Sequence, residues 1–294
     1  GGGGGGAALT TVSRVDYSND TATGSPRGDL AQGRKWGGAT GNADYGYFGT
    51  GQPGTTSVDR IDYSNDTATA SLRGPLTVYN YGYGATGNTS YGYFGGIASG
   101  RTRVDRIDFS NDSPTATTKG PLSAGRYGLT ATSSRANANP TATTPSVTVD
   151  KGAEGYTVTT LGPAFGYAVG GYASSNPRPR STVDRIDYAN DTATAAVKGP
   201  LDQNYFAHQS TSNLTHAYAA SGNNAGTSVS RIEFSNDTAT AVAKGPLTSV
   251  HNYFGATGNT SFGYYAGGES SPGPAQSTVD RIDYGNDTAT ASPK

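Results

Sequence analysis

One twelve-residue phrase, Val58-Asp-Arg-Ile-Asp-Tyr-Ser-Asn-Asp-Thr-Ala-Thr69, limits what this chain can fold into, because the chain repeats it. Copies lie near residues 12–18, 58–63, 104–109, 183–188, 229–234 and 279–284. The Asn of the Asn-Asp pair falls at 19, 65, 111, 190, 236 and 286, in steps of 46, 46, 79, 46 and 50 residues. A fixed period of this size signals a repeat architecture over residues 1–294, in which each unit buries a face against the next. The 79-residue step is too long for one such unit and suits two short ones. A degenerate copy at 146–150, Val147-Thr-Val-Asp150 with Lys151 to Thr160 as its return strand, brings the expected total to seven.

One period spells out four short strands. Tyr79 to Thr86 is strand a, closed by a Gly87-Asn88 turn of the kind that favours positive φ. Strand b runs from Ser90 to the paired Gly95-Gly96. Val104 to Phe109 is strand c, Ser110-Asn-Asp112 turns the chain, and strand d lies near Thr115 to Thr117. Gly120-Pro-Leu122 leads to the next unit. Four antiparallel strands per period, repeated, are the pattern of a β-propeller. The expectation is an all-β propeller of seven four-stranded blades, with six blades and an irregular insertion around Ala131 to Gly162 as the alternative.

Composition agrees with thin stacked layers. Hydrophobic residues are 33% of the chain, too few for one large central core, while 44 Gly and 20 Tyr supply turns and strands. The net charge of −1 gives no pull toward nucleic acid, and no apolar run of 18 residues offers a membrane-spanning helix. With no Cys, disulfides, thiolate metal sites and a Cys nucleophile are excluded. The missing Met and the glycines at 1–6 suggest a piece of a longer chain. The chain opens on a c–d pair, so the first blade is expected to lack its a strand or to draw it from upstream.

The order of signals resembles the kelch repeat. Tyr93-Phe94-Gly95-Gly96, the strand Val104 to Asp108, Pro121-Leu122 and Arg126 before the next strand carry the likeness. The kelch Trp of strand d is replaced by small Thr and Ala, which implies thin blades. Galactose oxidase shares that propeller, but its copper site needs a Tyr–Cys crosslink that a chain without Cys cannot make. The wording of the repeat is also similar to tracts in virion proteins of marine tailed phages, commonly tail fibres and other host-contacting parts. That resemblance implies a virion location, with bacterial cell-surface or secreted display as the alternative.

The conspicuous charges have structural readings. Arg60 and Asp62 share one face of strand c and Asp59 the other, so the copies should form ion pairs within and between blades. Asp62, Ser64 and Asp66 are spaced like the start of a calcium loop, yet the Gly and terminal Glu of an EF-hand are missing, and a tight turn explains them. The repeated Asn-Asp-Thr/Ser are formal glycosylation acceptors and equally turns. His208, His216 and His251 have no Cys or carboxylate at metal spacing. No nucleophile elbow or phosphate loop is present. No cofactor and no catalysis are expected.

Binding is the remaining expectation. The a–b and c–d turns on one face of the propeller are nearly uniform, while the b–c and d–a loops on the other differ in every blade. Function tends to sit on loops held by a rigid frame. The candidate ligand face is Arg34, Trp36, Tyr79, Tyr81, Arg101, Arg103, Arg126, Tyr127, Arg178, Arg180, Tyr205, His208, His251 and Tyr253. Aromatic rings beside hydrogen-bonding groups suit a sugar ring or a protein surface. The expected partners are a host-surface glycan or protein receptor and other virion or fibre proteins, with homo-oligomers as on threefold fibres. The rivals are a bacterial adhesin propeller and, more remotely, a carbohydrate-active enzyme.

Overall fold

A computed structural model describes residues 7–79, 81–97, 101–134, 165–173, 180–223, 225–270, 273 and 275–294. A two-stranded ribbon comes first, β1 (Ser13–Arg14) with β2 (Ser25–Pro26). Five four-stranded antiparallel sheets follow. Blade 1 is β3 (Gly38–Gly41), β4 (Tyr45–Gly49), β5 (Val58–Asp62) and β6 (Ser71–Arg73). Blade 2 is β7 (Gly84–Gly87), β8 (Tyr91–Ile97), β9 (Arg101–Asp108) and β10 (Thr117–Lys119). Blade 3 is β11 (Thr130–Ser133), β12 (Phe165–Val169), β13 (Val183–Asp187) and β14 (Ala196–Val197). Blade 4 is β15 (Gln209–Ser212), β16 (His216–Ala220), β17 (Val229–Glu233) and β18 (Val242–Lys244). Blade 5 is β19 (Gly255–Gly258), β20 (Phe262–Ala266), β21 (Val279–Asp283) and β22 (Ser292–Pro293).

Every sheet runs in sequence order, a to d, and the a strands of successive blades pack side by side around the axis. This is a β-propeller of five blades. The expected seven, and the alternative six, are both corrected. The two counts fail for different reasons. The 79-residue step adds no seventh sheet among the described residues, and its extra length lies where the alternative put an insertion. The first c–d copy forms only the two-stranded ribbon, which takes six to five. β11 pairs directly with β12, Thr130 opposite Val169 and Ser133 opposite Gly166, and the Ser134 amide donates to the Phe165 carbonyl at 2.9 Å. The extra length therefore lies inside blade 3, between its a and b strands, and the degenerate copy at 146–150 falls outside the described residues. Length alone cannot distinguish a second unit from one long connection. Strand d was also placed too early: Thr115 and Ala116 belong to the turn, where the Ala116 amide donates to Pro75, and the strand starts at Thr117.

The core is a series of thin layers between blades rather than one central mass. Tyr47, Val58 and Leu76 of the first blade meet Phe94, Ile107 and Phe109 of the second, and comparable clusters fill the next three interfaces. The residues that dictate this geometry are legible in the repeat. Asn88 in the a–b turn accepts from the amides of Ser90 and Tyr91, and Asn42, Asn213 and Asn259 act the same way. Asp62 caps the c–d turn by accepting from the Ser64 amide at 2.9 Å. That is why the calcium-like spacing recurs, and no group of three or more candidate ligands gathers among the described residues.

The blades are riveted by one repeated arrangement. Asp191, in the c–d turn of blade 3, accepts from the Tyr93 hydroxyl (2.8 Å) and from Arg106 (2.7 Å) of blade 2, with Lys119 at 3.2 Å. Asp112, Asp237 and Asp287 do the same for Tyr47, Tyr167 and Tyr218 and their basic neighbours. Asp20 of the ribbon closes the circle by accepting from Tyr264 (2.8 Å) and Arg281 (2.7 Å) of blade 5. The ribbon thus stands between the first and last blades. Burial alone would raise the Asp191 pKa, but the bonds from Tyr93, Lys119 and Arg106 outweigh it and hold the carboxyl below its ordinary value.

Candidate functional site

The site is best built from the d–a loops, counted from the Leu that follows Gly-Pro or Gly-Asp. Four residues after Leu30, Leu122, Leu201 and Leu247 stand Arg34, Arg126, Tyr205 and His251. All four are buried and turn into their own blade. Arg34 pairs with Asp59 at 2.9 Å, Arg126 with Asp184 at 2.9 Å, and His251 with Asp280 at 3.2 Å. Where strand c carries Ser230 instead of Asp, the partner is the neutral Tyr205 hydroxyl, at 2.6 Å. A buried charge must be paired or replaced, and each loop residue matches its own strand c. Variation at this position therefore tracks the partner on strand c, and these four side chains face the interior of their own blades.

His208 is buried too, next to the Tyr205 ring (5.3 Å between centroids). Burial, with the Arg126 charge nearby, pushes its pKa down to about 3, so it is a neutral core residue. Arg103 is half-buried with its Nη1 2.6 Å from the Thr77 hydroxyl, Arg101 is exposed, and Arg178 lies outside the described residues. Arg180 is half-buried and its backbone bridges to Tyr205.

At the next two positions of the same loops Lys35, Trp36, Tyr81, Tyr127, Phe206 and Tyr253 are half-buried, whereas Ala207 and Asn252 are buried. At six residues past the Leu stand Trp36, Gly82, Gly128, Ala207 and Tyr253, and all five have positive φ, between 54° and 76°. The reason is a chain of backbone hydrogen bonds around the axis. Gly82 donates to Trp36 (2.9 Å), Gly128 to Gly82 (2.8 Å), Ala207 to Gly128 (3.2 Å) and Tyr253 to Ala207 (3.1 Å). Each of the four left-handed residues after Trp36 aims its amide at the preceding blade. Gly accepts this conformation freely, whereas a side chain there costs about 1–2 kcal/mol.

Around this backbone ring lies an aromatic arc. Trp36 lies 5.6 Å from Tyr81 and 5.5 Å from Tyr253, which lies 6.2 Å from Phe206; Phe206 lies 5.8 Å from Tyr127 and 5.1 Å from Tyr172. All six rings are half-buried. The Trp36–Tyr253 contact joins the first blade to the last across the ribbon's sector. Beside the arc opens a cleft of about 490 Å³ lined by Lys35, Gln52, Pro53, Tyr79 and Tyr81, with Tyr79 69% exposed. Lys35 Nζ sits 5.1 Å over the Trp36 ring.

The structure thus assembles Trp36, Tyr81, Tyr127 and Tyr253 of the expected face, with Tyr79 beside them, and sets Arg34, Arg126, Tyr205, His208 and His251 in the interior. Phe206, Tyr172, Lys35 and Gln52 were missed. Phe206 had a signal: it stands five residues after Leu201, in register with Tyr81 and Tyr127, whereas Tyr205 is one residue short. Tyr172 comes from a b–c loop and has no such register. Compared with known proteins, the chain matches no family model and no curated protein sequence.

Proposed function

We propose that this propeller is a non-catalytic binding domain of a phage tail fibre or similar virion appendage, gripping a cell-surface glycan at the centre of its b–c/d–a face. The observation that carries the reading is the pair Trp36 and Tyr253. Both are large aromatics held at positive φ in a ring position where two other blades use Gly. Strain of about 1–2 kcal/mol at each is sustained where the side chain has a use beyond the fold. What it provides here is a half-exposed aromatic surface, bordered by the Lys35 ammonium and the Gln52 amide of the adjoining cleft. Flat rings stack on the apolar faces of sugars, and the neighbouring polar groups suit their hydroxyls. Placement on a virion rests on the wording of the repeat alone, and the likeness to kelch repeats supports no particular ligand.

The test is a glycan array and whole-cell binding with the purified chain, beside a Trp36→Ala/Tyr81→Ala/Tyr127→Ala variant. Tyr205 is left intact because it is core. Selective binding that falls at least tenfold in a variant with an unchanged circular dichroism spectrum supports the reading. Binding equal in both proteins, or none to any glycan or cell, sinks it.

A further inference from the structure

Among the described residues the ribbon's sector of the propeller holds only the outer two strands. In each complete blade strand c pairs with b on one edge and d on the other, whereas among the described residues β1 pairs with β2 alone. The consequences are visible on both neighbours. Ser13 of β1 is exposed, where its counterparts Asp59, Asp105, Asp184, Ser230 and Asp280 are at most 1% exposed. On blade 5, Thr257 of β19 is exposed, where Thr86, Thr132 and Thr211 are covered by the next a strand. On blade 1, Tyr63 is 52% exposed, where Phe109 and Tyr188 are 7% and 8%.

The same comparison states what is lacking. Phe109, Tyr188, Phe234, Tyr284 and Tyr17 each stack on a strand-b Tyr of the preceding blade, at centroid distances of 4.7–5.2 Å. No such ring stacks on Tyr63 among the described residues. Five turn aspartates accept a Tyr hydroxyl, whereas among the described residues the Asp66 carboxylate accepts from Arg14 and Arg27 alone. Arg60, Arg106, Arg185 and Arg281 lie 4.0–4.3 Å over an aromatic ring at the start of strand b, while Arg14 is 56% exposed.

We infer that this slot is a docking site for a two-stranded antiparallel β-hairpin of the repeat's own a–b type, whose b strand reads aromatic-Gly-Tyr. The first aromatic lies under Arg14, the Gly lets the Tyr17 ring pack close, as Gly92 does for Phe109 in its own blade, and the Tyr stacks on Tyr63 and donates its hydroxyl to Asp66. Its backbone pairs with the open edge of β1, and its a strand covers Thr257. Addition of strands to an open edge supplies main-chain hydrogen bonds, and the ring positions give it selectivity. A second copy of this chain does not supply it from its described residues, since each of their five a–b hairpins is already built into a blade.

The test adds a synthetic peptide with the sequence of residues 82–97 to the full chain, with a peptide carrying Tyr93→Ala as control. Expected are saturable one-to-one binding by calorimetry, a raised Tm, and a loss of at least tenfold with the control peptide or with a Tyr63→Ala chain. A second measurement joins the same hairpin in front of residue 7, which raises its effective concentration. There the gain in Tm should vanish when its Tyr93 equivalent is Ala. Stabilisation in either format, dependent on that Tyr, upholds the proposal. No stabilisation in both formats, or equal effects of the Tyr and Ala hairpins, overturns it, as does light scattering showing a dimer that the peptide cannot dissociate.

Discussion

His208 shows how one buried side chain sets the response of the molecule to pH. Its pKa of about 3 lies far below the ordinary 6.5, because burial disfavours the charged ring. The unfolded chain takes up a proton below pH 6.5 and the folded chain does not, so stability is full above 6.5 and falls as the pH drops toward 3. The slope is about 1.4 kcal/mol per pH unit. His216, lowered by burial and by Arg231, contributes with the same sign. His251 opposes them. Burial lowers its pKa, but the bonds to Asp280 and Gly267 outweigh that and raise it, so its stabilisation is present below 6.5 and is lost as pH rises through its folded value. In the blade 3 loop the position of His208 is held by Leu129. The variant His208→Leu should therefore lose little at pH 7.5 and gain about 2 kcal/mol relative to the wild type at pH 5. Urea midpoints at the two pH values measure this, and a constant difference between the proteins refutes it. The sequence marked His208 as one of three histidines and could not show its burial. Its offset of seven residues from Leu201, matching Leu129 from Leu122, was the available clue.

Among elements, the Gly-Pro-Leu link shows what the repeat made legible and what it hid. The motif was plain in the sequence, but its purpose required the neighbouring blade. The Gly120 amide donates to the Asp191 carbonyl at 2.7 Å, and a Cβ on Gly120 would lie 1.9 Å from the Ala193 carbonyl oxygen. Backbone meets backbone there, and Gly28, Gly74, Gly199 and Gly245 repeat the contact at 1.8–1.9 Å. No side-chain rotation relieves such a clash. Gly120→Ala should thus destabilise by about 3 kcal/mol or more, well above a typical single substitution, without touching any apolar residue. Guanidinium unfolding tests it, and a loss under 1 kcal/mol would show that the turn can slide aside. The strands themselves were legible because alternation and turn residues are local signals. The a–b connection of blade 3 was not, since nothing local says whether residues between Ser134 and Phe165 close one hairpin or begin another blade. The arc of rings was half legible for a similar reason. Aromatic content pointed at the d–a loops, but which ring faces in depends on a one-residue register that only the left-handed backbone at Trp36, Gly82 and Gly128 reveals.

At the scale of the molecule, closure rests on the ribbon. Four of the six junctions join complete blades, and each buries a layer of aromatic and aliphatic side chains. The junction of the ribbon with blade 5 has Tyr17 stacked on Tyr264 at 5.2 Å, the Tyr17 hydroxyl on Thr257, and Asp20 with Tyr264 and Arg281. An isolated pair of strands is marginal in water, so the ribbon should open at lower cost than any blade. Asp20 ties it to blade 5. Burial raises the carboxyl pKa, but Tyr264 and Arg281 more than offset it and hold it below the ordinary value, as at Asp191. The two aspartates make alike bonds yet sit in unlike surroundings, and their loss should read out differently. With Asp191→Ala the blade 2–3 layer still holds the sheets, and the unpaired Arg106 and Lys119 lower the global unfolding midpoint. With Asp20→Ala the ribbon detaches first. Amide exchange should then accelerate at least tenfold in Arg14, Arg27 and Leu30, whose amides are bonded in or beside the ribbon, while Tyr93 and Tyr167 keep their protection. Equal acceleration across all five blades would mean that the ring unfolds as one unit and that the ribbon is as firmly held as any blade.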